Sequence, residues 1–447
     1  MTNSVRPSGE GEAATVTGLN RRHVLGLGAS LGASLLFNRP AYAQGAGVKF
    51  WDPGLFAASA DGILDKSKSF IYKATELYLA ANPSEAVEIT ETSGDLTATA
   101  NQFRAASIAR NGPDLKSAYA GGNVLSFAQF LEPLDEIFPP EAQAKLSGWA
   151  TVREGYRADG KILALPYGAG SYFYVFYRKS LFAKAGVEFV QPKTWEEMLD
   201  LGDKLKAAGV APFWVCNQEG YVGAWVIAAL GGGQMGPGVF TEMVLGNVRL
   251  DDPGMIEAYK GYASLFSRGL TNPDAGQVGN GEAMSGFAQD KGAMLIGGSW
   301  SNAEMLETFG DDVGQFPIPT LASAKAPGIL AGGPNIAIMM TNYAANKDAA
   351  ARFLKYLAEA KTIDLYVQLT QIEASNHVDA DPSLIINRLL REQAELIKAS
   401  RTVYPFDNVM PQPVIDMFYR VNATVFTGQQ TAEDAVAQLQ AEFERQA

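Results

Sequence analysis

The residues best suited to chemistry in this chain are aromatic rings set beside carboxylates, amides and glycines. The clearest case is Asn217-Gln218-Glu219-Gly220-Tyr221, which follows the apolar run Phe213-Trp214-Val215-Cys216. Trp300 comes after Gly297-Gly298-Ser299, where glycines let the backbone turn sharply and bring an indole to a cleft. Trp51-Asp52, Ser93-Gly94-Asp95 and Tyr119 each sit just past a strand-like run, where ligands bind in α/β sheets. Tyr404-Pro405-Phe406-Asp407-Asn408 offers one more wall, with Asp407 as a carboxylate acceptor. Flat rings take up the C–H faces of a polyhydroxylated ligand, and Asp, Glu and Asn side chains pair with its hydroxyls. Glu219 or Asn217 is therefore expected as hydroxyl partner, with Tyr221 and Trp300 as platforms. Structural roles compete with these. Asp95 equally suits capping the next helix, Trp51 a core position, and the 217–221 segment a solvated loop. Tyr167, Tyr172 and Tyr174 flank a glycine-rich passage; 172 and 174 share one strand face, so one of that pair can be core.

Other chemistries are poorly supplied. The one cysteine, Cys216, can form no internal disulfide, and with only His23 and His377 no Cys/His metal site is expected. No cofactor is implied. A net charge of −12 argues against wrapping nucleic acid. A hydrolytic reading would need two carboxylates across a scissile bond, such as Glu219 and Asp407, and no local motif supports it. The Gly-Ala-Ser-Leu-Gly string at 28–32 lies in the N-terminal leader. No G-x-x-x-x-G-K-[ST] loop is present for ATP hydrolysis.

That leader has a clear grammar. Asn20-Arg21-Arg22-His23 precedes a modestly apolar stretch over 25–37, and Ala41-Tyr42-Ala43 offers a small-x-small cleavage site. Residues 1–43 read as a signal peptide, with paired arginines of the twin-arginine type or a general-secretory signal that happens to hold two. Either reading sends the remainder to the periplasm. No later run approaches the roughly eighteen apolar residues of a membrane span, and no cysteine stands directly after the cleavage site, so a free protein without a lipid anchor is expected.

The elements that must position the rings alternate. Residues 48–51 and 87–90 read as strands, 67–81 and 97–109 as helices, which indicates an α/β layer with a mostly parallel sheet. The pattern restarts near 170. A strand over 173–178 is followed by a helix over 194–208, with Thr194 as N-cap and Glu197 at the capping-box position. A strand over 212–216 and a helix over 225–230 come next, and Gly231-Gly232-Gly233 reads as a break. Amphipathic helices close the chain over 349–357 and 432–443, the last capped by Thr431.

The order of motifs resembles the extracellular solute-binding proteins of ABC transporters, in the sugar-binding branch that includes the maltose-binding protein. It rests on Asn111-Gly112-Pro113-Asp114, Asp159-Gly160-Lys161 running to Pro166-Tyr167, Tyr177-Arg178-Lys179 and Pro192-Lys193-Thr194-Trp195-Glu196-Glu197. Gly292 to Trp300, Phe316-Pro317-Ile318-Pro319 with Gly332-Gly333, and Asn346-Lys347-Asp348 extend it; past about 375 the match is loose. The resemblance implies an α/β, two-lobed periplasmic binding protein (Venus-flytrap) fold with hinge strands between the lobes. Lobe 1 would take 44–168 plus 334–374, and lobe 2 would take 169–333 plus 375–447. Hinges would lie at Gly168-Ala169-Gly170, Ala331-Gly332-Gly333 and near Ala374. It implies cleft residues among Trp51, Asp52, Asp95, Tyr119, Tyr167, Tyr172, Asn217, Glu219, Tyr221, Trp300, Gly333 and Asp407. A monomer that hands a sugar or polyol to permease subunits in the inner membrane is the implied function. Glycerol-phosphate esters or polyamines are the alternative cargo. Few arginines fall in the expected loops, which favours neutral polyols over phosphates.

Overall fold

The computed structural model describes residues 47–56, 66, 69–94 and 96–446, so the 1–43 leader and Asp95 lie outside the described residues. The strands are β1 Val48–Asp52, β2 Val87–Glu91, β3 Leu115–Tyr119, β4 Ala164–Tyr167, β5 Ser171–Arg178, β6 Phe213–Trp214, β7 Met294–Gly298, β8 Val313–Pro317, β9 Leu330–Gly333, β10 Ile336–Met340 and β11 Thr402–Val403. They form two sheets, ordered β2-β1-β3-β10-β4 and β11-β9-β5-β7-β6, with β8 also on β5.

The first sheet follows the expected grammar. β1 pairs in parallel with β2 and β3, because each crossover is a helix, Phe70–Ala81 and Leu96–Ile108. β10 enters antiparallel between β3 and β4. Its sequence Ile-Ala-Ile-Met-Met is buried throughout, as a strand covered on both faces must be. Phe50, Phe103, Tyr167, Phe353 and Tyr366 belong to this sheet's core.

The second sheet is built around β5, which runs antiparallel to β7, β8 and β9. Helix Trp195–Ala207 opens as its cap requires: the Thr194 hydroxyl accepts from Glu197 N at 3.2 Å. The Glu197 carboxylate reaches back to Lys193 N at 2.7 Å, one residue before the usual capping-box partner. Trp195, Tyr259, Phe316 and Phe418 sit in a separate core on which the C-terminal helices Gln412–Phe426 and Ala432–Gln446 pack.

Two expectations fail. Gly231-Gly232-Gly233 breaks nothing, and one helix runs Tyr221–Met235 straight through it. These glycines mark close approach. A Cβ on Gly232 would fall 2.6 Å from the Val403 side chain, and one on Gly233 would fall 2.7 Å from Thr320. Packing outweighs a propensity cost of about 1 kcal/mol per glycine. The apolar run ending at Cys216 also forms a strand only over Phe213–Trp214.

The chain passes from the first sheet to the second between β4 and β5, through Gly168-Ala169-Gly170, and returns between β9 and β10. Asn376 donates to the Ser147 and Pro166 carbonyls, and Val378 N to Lys145 O, which ties this stretch to residues beside the first sheet. Helix Arg388–Ala399 is the next element on the second, where Gln393 and Asn302 exchange hydrogen bonds of 2.8 and 2.9 Å.

Candidate functional site

An aromatic wall stands on the second lobe. Tyr221 opens helix Tyr221–Met235 and Trp225 lies one turn on, so their rings meet at 4.4 Å. Trp225 stacks on Phe173 of β5 at 4.2 Å and 7°, and meets Trp300 edge-on at 4.8 Å and 74°. Trp300 is half-buried just past β7, where its ring lies over Gly298; a Cβ there would come within 2.1 Å of it. Asn217 holds the start of the wall. Its Oδ1 accepts from Gly223 N at 3.0 Å and its Nδ2 donates to the Tyr262 hydroxyl at 2.9 Å, which fixes the first turn of the helix.

A second group lies alongside. Gly220, at φ +81°, leaves room for Tyr419, which a Cβ would approach to 2.8 Å. The Tyr419 hydroxyl donates to Asp407 Oδ2 at 2.9 Å, while Asp407 Oδ1 is buried without a hydrogen-bond partner. Burial pushes the Asp407 carboxyl up to about 6, against the opposing Tyr419 bond. Segment 404–410 also touches the first lobe. Tyr156 donates to Val409 O at 3.2 Å, and Gly121, at φ +73°, lies so close that a Cβ would sit 2.1 Å from Asn408 O.

Tyr119, at the end of β3, brings the first lobe into this group. Its phenol is one of the neighbours that raise the Tyr221 hydroxyl, after burial, Glu219 and Cys216. Among the described residues, the ionisable neighbours acting on Tyr119, Tyr221, Tyr419 and Asp407 are carboxyl, thiol and phenol groups, and none is a cation. Such a setting can stack on a ligand and accept its hydrogen bonds; it offers little to an anion.

Residues 60–363 match the family described as bacterial extracellular solute-binding protein. This chain belongs to that family. The solute-binding protein is 25% identical over 277 residues to the sn-glycerol-3-phosphate-binding periplasmic protein UgpB of Salmonella paratyphi A, and equally to that of Escherichia coli K12. The match covers 58% of this chain, and the chain spans 60% of the length of those curated relatives. A chitin oligosaccharide binding protein superposes with a TM-score of 0.77 at 20% identity, over 90% of this chain and 99% of that one. A structure described under xylan utilization by the thermophilic bacterium Caldanaerobius polysaccharolyticus gives 0.74 at 23%, over 88% and 99%. SBP RafE in complex with raffinose gives 0.66 at 18%, over 90% and 99%. These likenesses show the fold: two α/β lobes joined by hinge strands.

Within this solute-binding protein the expected site residues separate. Tyr221, Trp300, Tyr119 and Asp407 converge. Glu219 is exposed at the rim, where its carboxylate accepts from Asn280 N at 3.1 and 3.2 Å. Trp51 is half-buried on the strand face opposite Phe50. Asn217 is 2% exposed and shapes the site from behind.

Asp52 is wholly buried; it takes Gly54 N and Phe56 N at 3.2 and 3.1 Å and the Ser117 hydroxyl, so it ties down a turn. Beside it burial lowers the Lys116 ammonium to about 8, against the opposing pull of Asp52. Tyr167 is in the first core, its ring 5.1 Å from Phe56 and 5.5 Å from Tyr366, and its hydroxyl donates to Leu357 O. Tyr172 is 4% exposed next to the hinge, and Gly333 lies under the Tyr404 ring. Sequence reasoning passed over Trp225 and Tyr419. The first was legible as Tyr221's i+4 partner; the second gave no local signal.

Proposed function

We propose that this protein is the capture component of an ABC importer, and that it takes a neutral saccharide or polyol between its lobes and hands it unchanged to a membrane permease. The Tyr221–Trp225–Trp300 wall, set beside Asp407 with no cation among the described residues acting on the group, carries this reading. Rings of this kind stack on sugar C–H faces, and carboxylates accept from hydroxyls in charge-assisted bonds of about 1.5–3 kcal/mol each. A few such contacts reach the roughly −8 kcal/mol of a micromolar complex. Structural neighbours described with chitin oligosaccharide and raffinose support the same class. Export to the periplasm through the 1–43 leader belongs to this reading. No helix among the described residues is long and apolar enough to cross a membrane.

The name of the curated relatives favours a second cargo, a glycerol phosphate ester. A phosphate would want arginine or lysine in the cleft, and among the described residues no cation acts on Asp407 or Tyr419.

The deciding experiment is a thermal-shift screen of residues 44–447 against saccharides, polyols, glycerol phosphates and polyamines. Ligand binding to the folded state raises Tm by mass action. A rise with one saccharide class, lost in Trp300→Ala while the ligand-free Tm holds, supports the proposal. A rise with phosphate esters or polyamines alone overturns the sugar assignment.

A further inference from the structure

Glu373 is 1% exposed and lies against the β4–β5 passage between the two sheets. One carboxylate oxygen accepts from Gly170 N at 2.5 Å, and the other from the Tyr366 hydroxyl at 2.7 Å. Next to it Ala169 N donates to Ala374 O at 2.8 Å, so the first passage is bound twice to the 373–374 segment. The glycines on both sides of Ala169 make this possible. At Gly168, φ +70°, a Cβ would sit 2.3 Å from the Glu373 carboxyl carbon, so the carboxylate fills the space of the missing side chain. At Gly170, φ +101°, a Cβ would fall 2.0 Å from the backbone of Gly333, which belongs to the return passage. Any rotation of one lobe against the other must turn φ and ψ in these segments. The carboxylate therefore sits on the pivot itself.

We infer that Glu373 is a positioning residue for lobe closure: its ionised carboxylate holds the Gly170 amide in the arrangement seen here, and taking up a proton releases that hold, so interlobe motion is coupled to pH. The groups facing the carboxylate are Tyr366 of helix Ala360–Thr370, Tyr167 of β4 and Tyr172 of β5. All three are phenols raised by burial and by Glu373, and among the described residues no cation is a cause of the Glu373 shift. Burial pushes the acid up to about 7, opposed by the Tyr366 and Gly170 bonds, which places its proton in the physiological window. The N–H to carboxylate bond is charge-assisted and weakens on protonation. Acid therefore loosens the pivot, and neutral to basic pH stiffens it.

The test reads lobe separation without any ligand, so it is independent of the sugar assignment. Fluorophores on one exposed residue of each lobe report energy transfer from pH 5.5 to 8.5. The wild-type protein should show a one-proton transition near neutrality, Glu373→Gln should be flat, and Tyr366→Phe should move the midpoint upward, since it removes a bond that favours the ionised form. A wild-type profile without a transition overturns the inference, as does an unchanged transition in Glu373→Gln. If Glu373→Gln does not fold, an unmoved midpoint in Tyr366→Phe overturns it equally.

Discussion

Replacing Glu373 by Gln should stabilise the protein at neutral and basic pH, by an amount that grows with pH. The folded carboxyl is raised from 4.5 to about 7 by burial. Below 4.5 the acid is protonated in folded and unfolded chains alike, and its stabilising contribution is fully present. Between 4.5 and about 7 the unfolded chain ionises while the folded one does not, so each pH unit removes about 1.4 kcal/mol from the folded state. Above 7 both ionise, and about 3 kcal/mol has been lost. Glutamine keeps the shape and one acceptor oxygen without the charge. It forgoes one of two hydrogen bonds, a loss of about 1 kcal/mol at every pH. Relative to wild type, Glu373→Gln should be slightly less stable near pH 4.5 and more stable by about 2 kcal/mol at pH 8. Urea unfolding at half-unit pH steps, with the transition followed by both fluorescence and circular dichroism, measures the difference. A difference that stays constant with pH, or a variant weaker than wild type at pH 8, refutes the reasoning.

Asn217→Ala should lower stability by about 1–3 kcal/mol, because it leaves Gly223 N and the Tyr262 hydroxyl buried without their partner. Ligand affinity should fall with it, since the first turn carrying Tyr221 loses its anchor; titration calorimetry on the variant would contradict this if affinity were retained. Gly232→Ala should destabilise by about 1–3 kcal/mol despite the better helix propensity of alanine, because the new methyl meets Val403. Gly231→Ala, whose Cβ would find its nearest atom at 3.3 Å on Phe240, should cost less, and equal effects in thermal unfolding would show that propensity rather than packing governs this helix.

Much of the fold was legible because it rests on local rules. Alternating strand and helix runs over 48–109 require parallel pairing of β1 with its neighbours, and Thr194 before Trp195-Glu196-Glu197 marks a helix start through one capping bond. Gly168-Ala169-Gly170 was readable as a passage because glycine adopts most readily the positive φ found at both ends. The glycine run at 231–233 misled for the opposite reason. Its meaning lies in Val403 and Thr320, which are distant in sequence and decide whether a missing side chain is a break or a contact.

The site divides along the same line. Residue types announced rings and carboxylates, and Trp300 after three small residues and Tyr221 after a polar loop were readable from adjacency alone. Which rings face one another was not. Trp225 gains its role by stacking between Phe173 of β5 and Trp300 beyond β7, and Asp407 gains a partner in Tyr419, twelve residues on and across a helix start. Tyr167 has the same composition signal as Tyr221, yet the first core encloses it. The chain's composition and order thus determined its class and its two α/β units. Only the tertiary structure decided which side chains share a surface, and only it placed a single carboxylate against the β4–β5 passage, because burial and proximity are properties of packed elements rather than of neighbours in sequence.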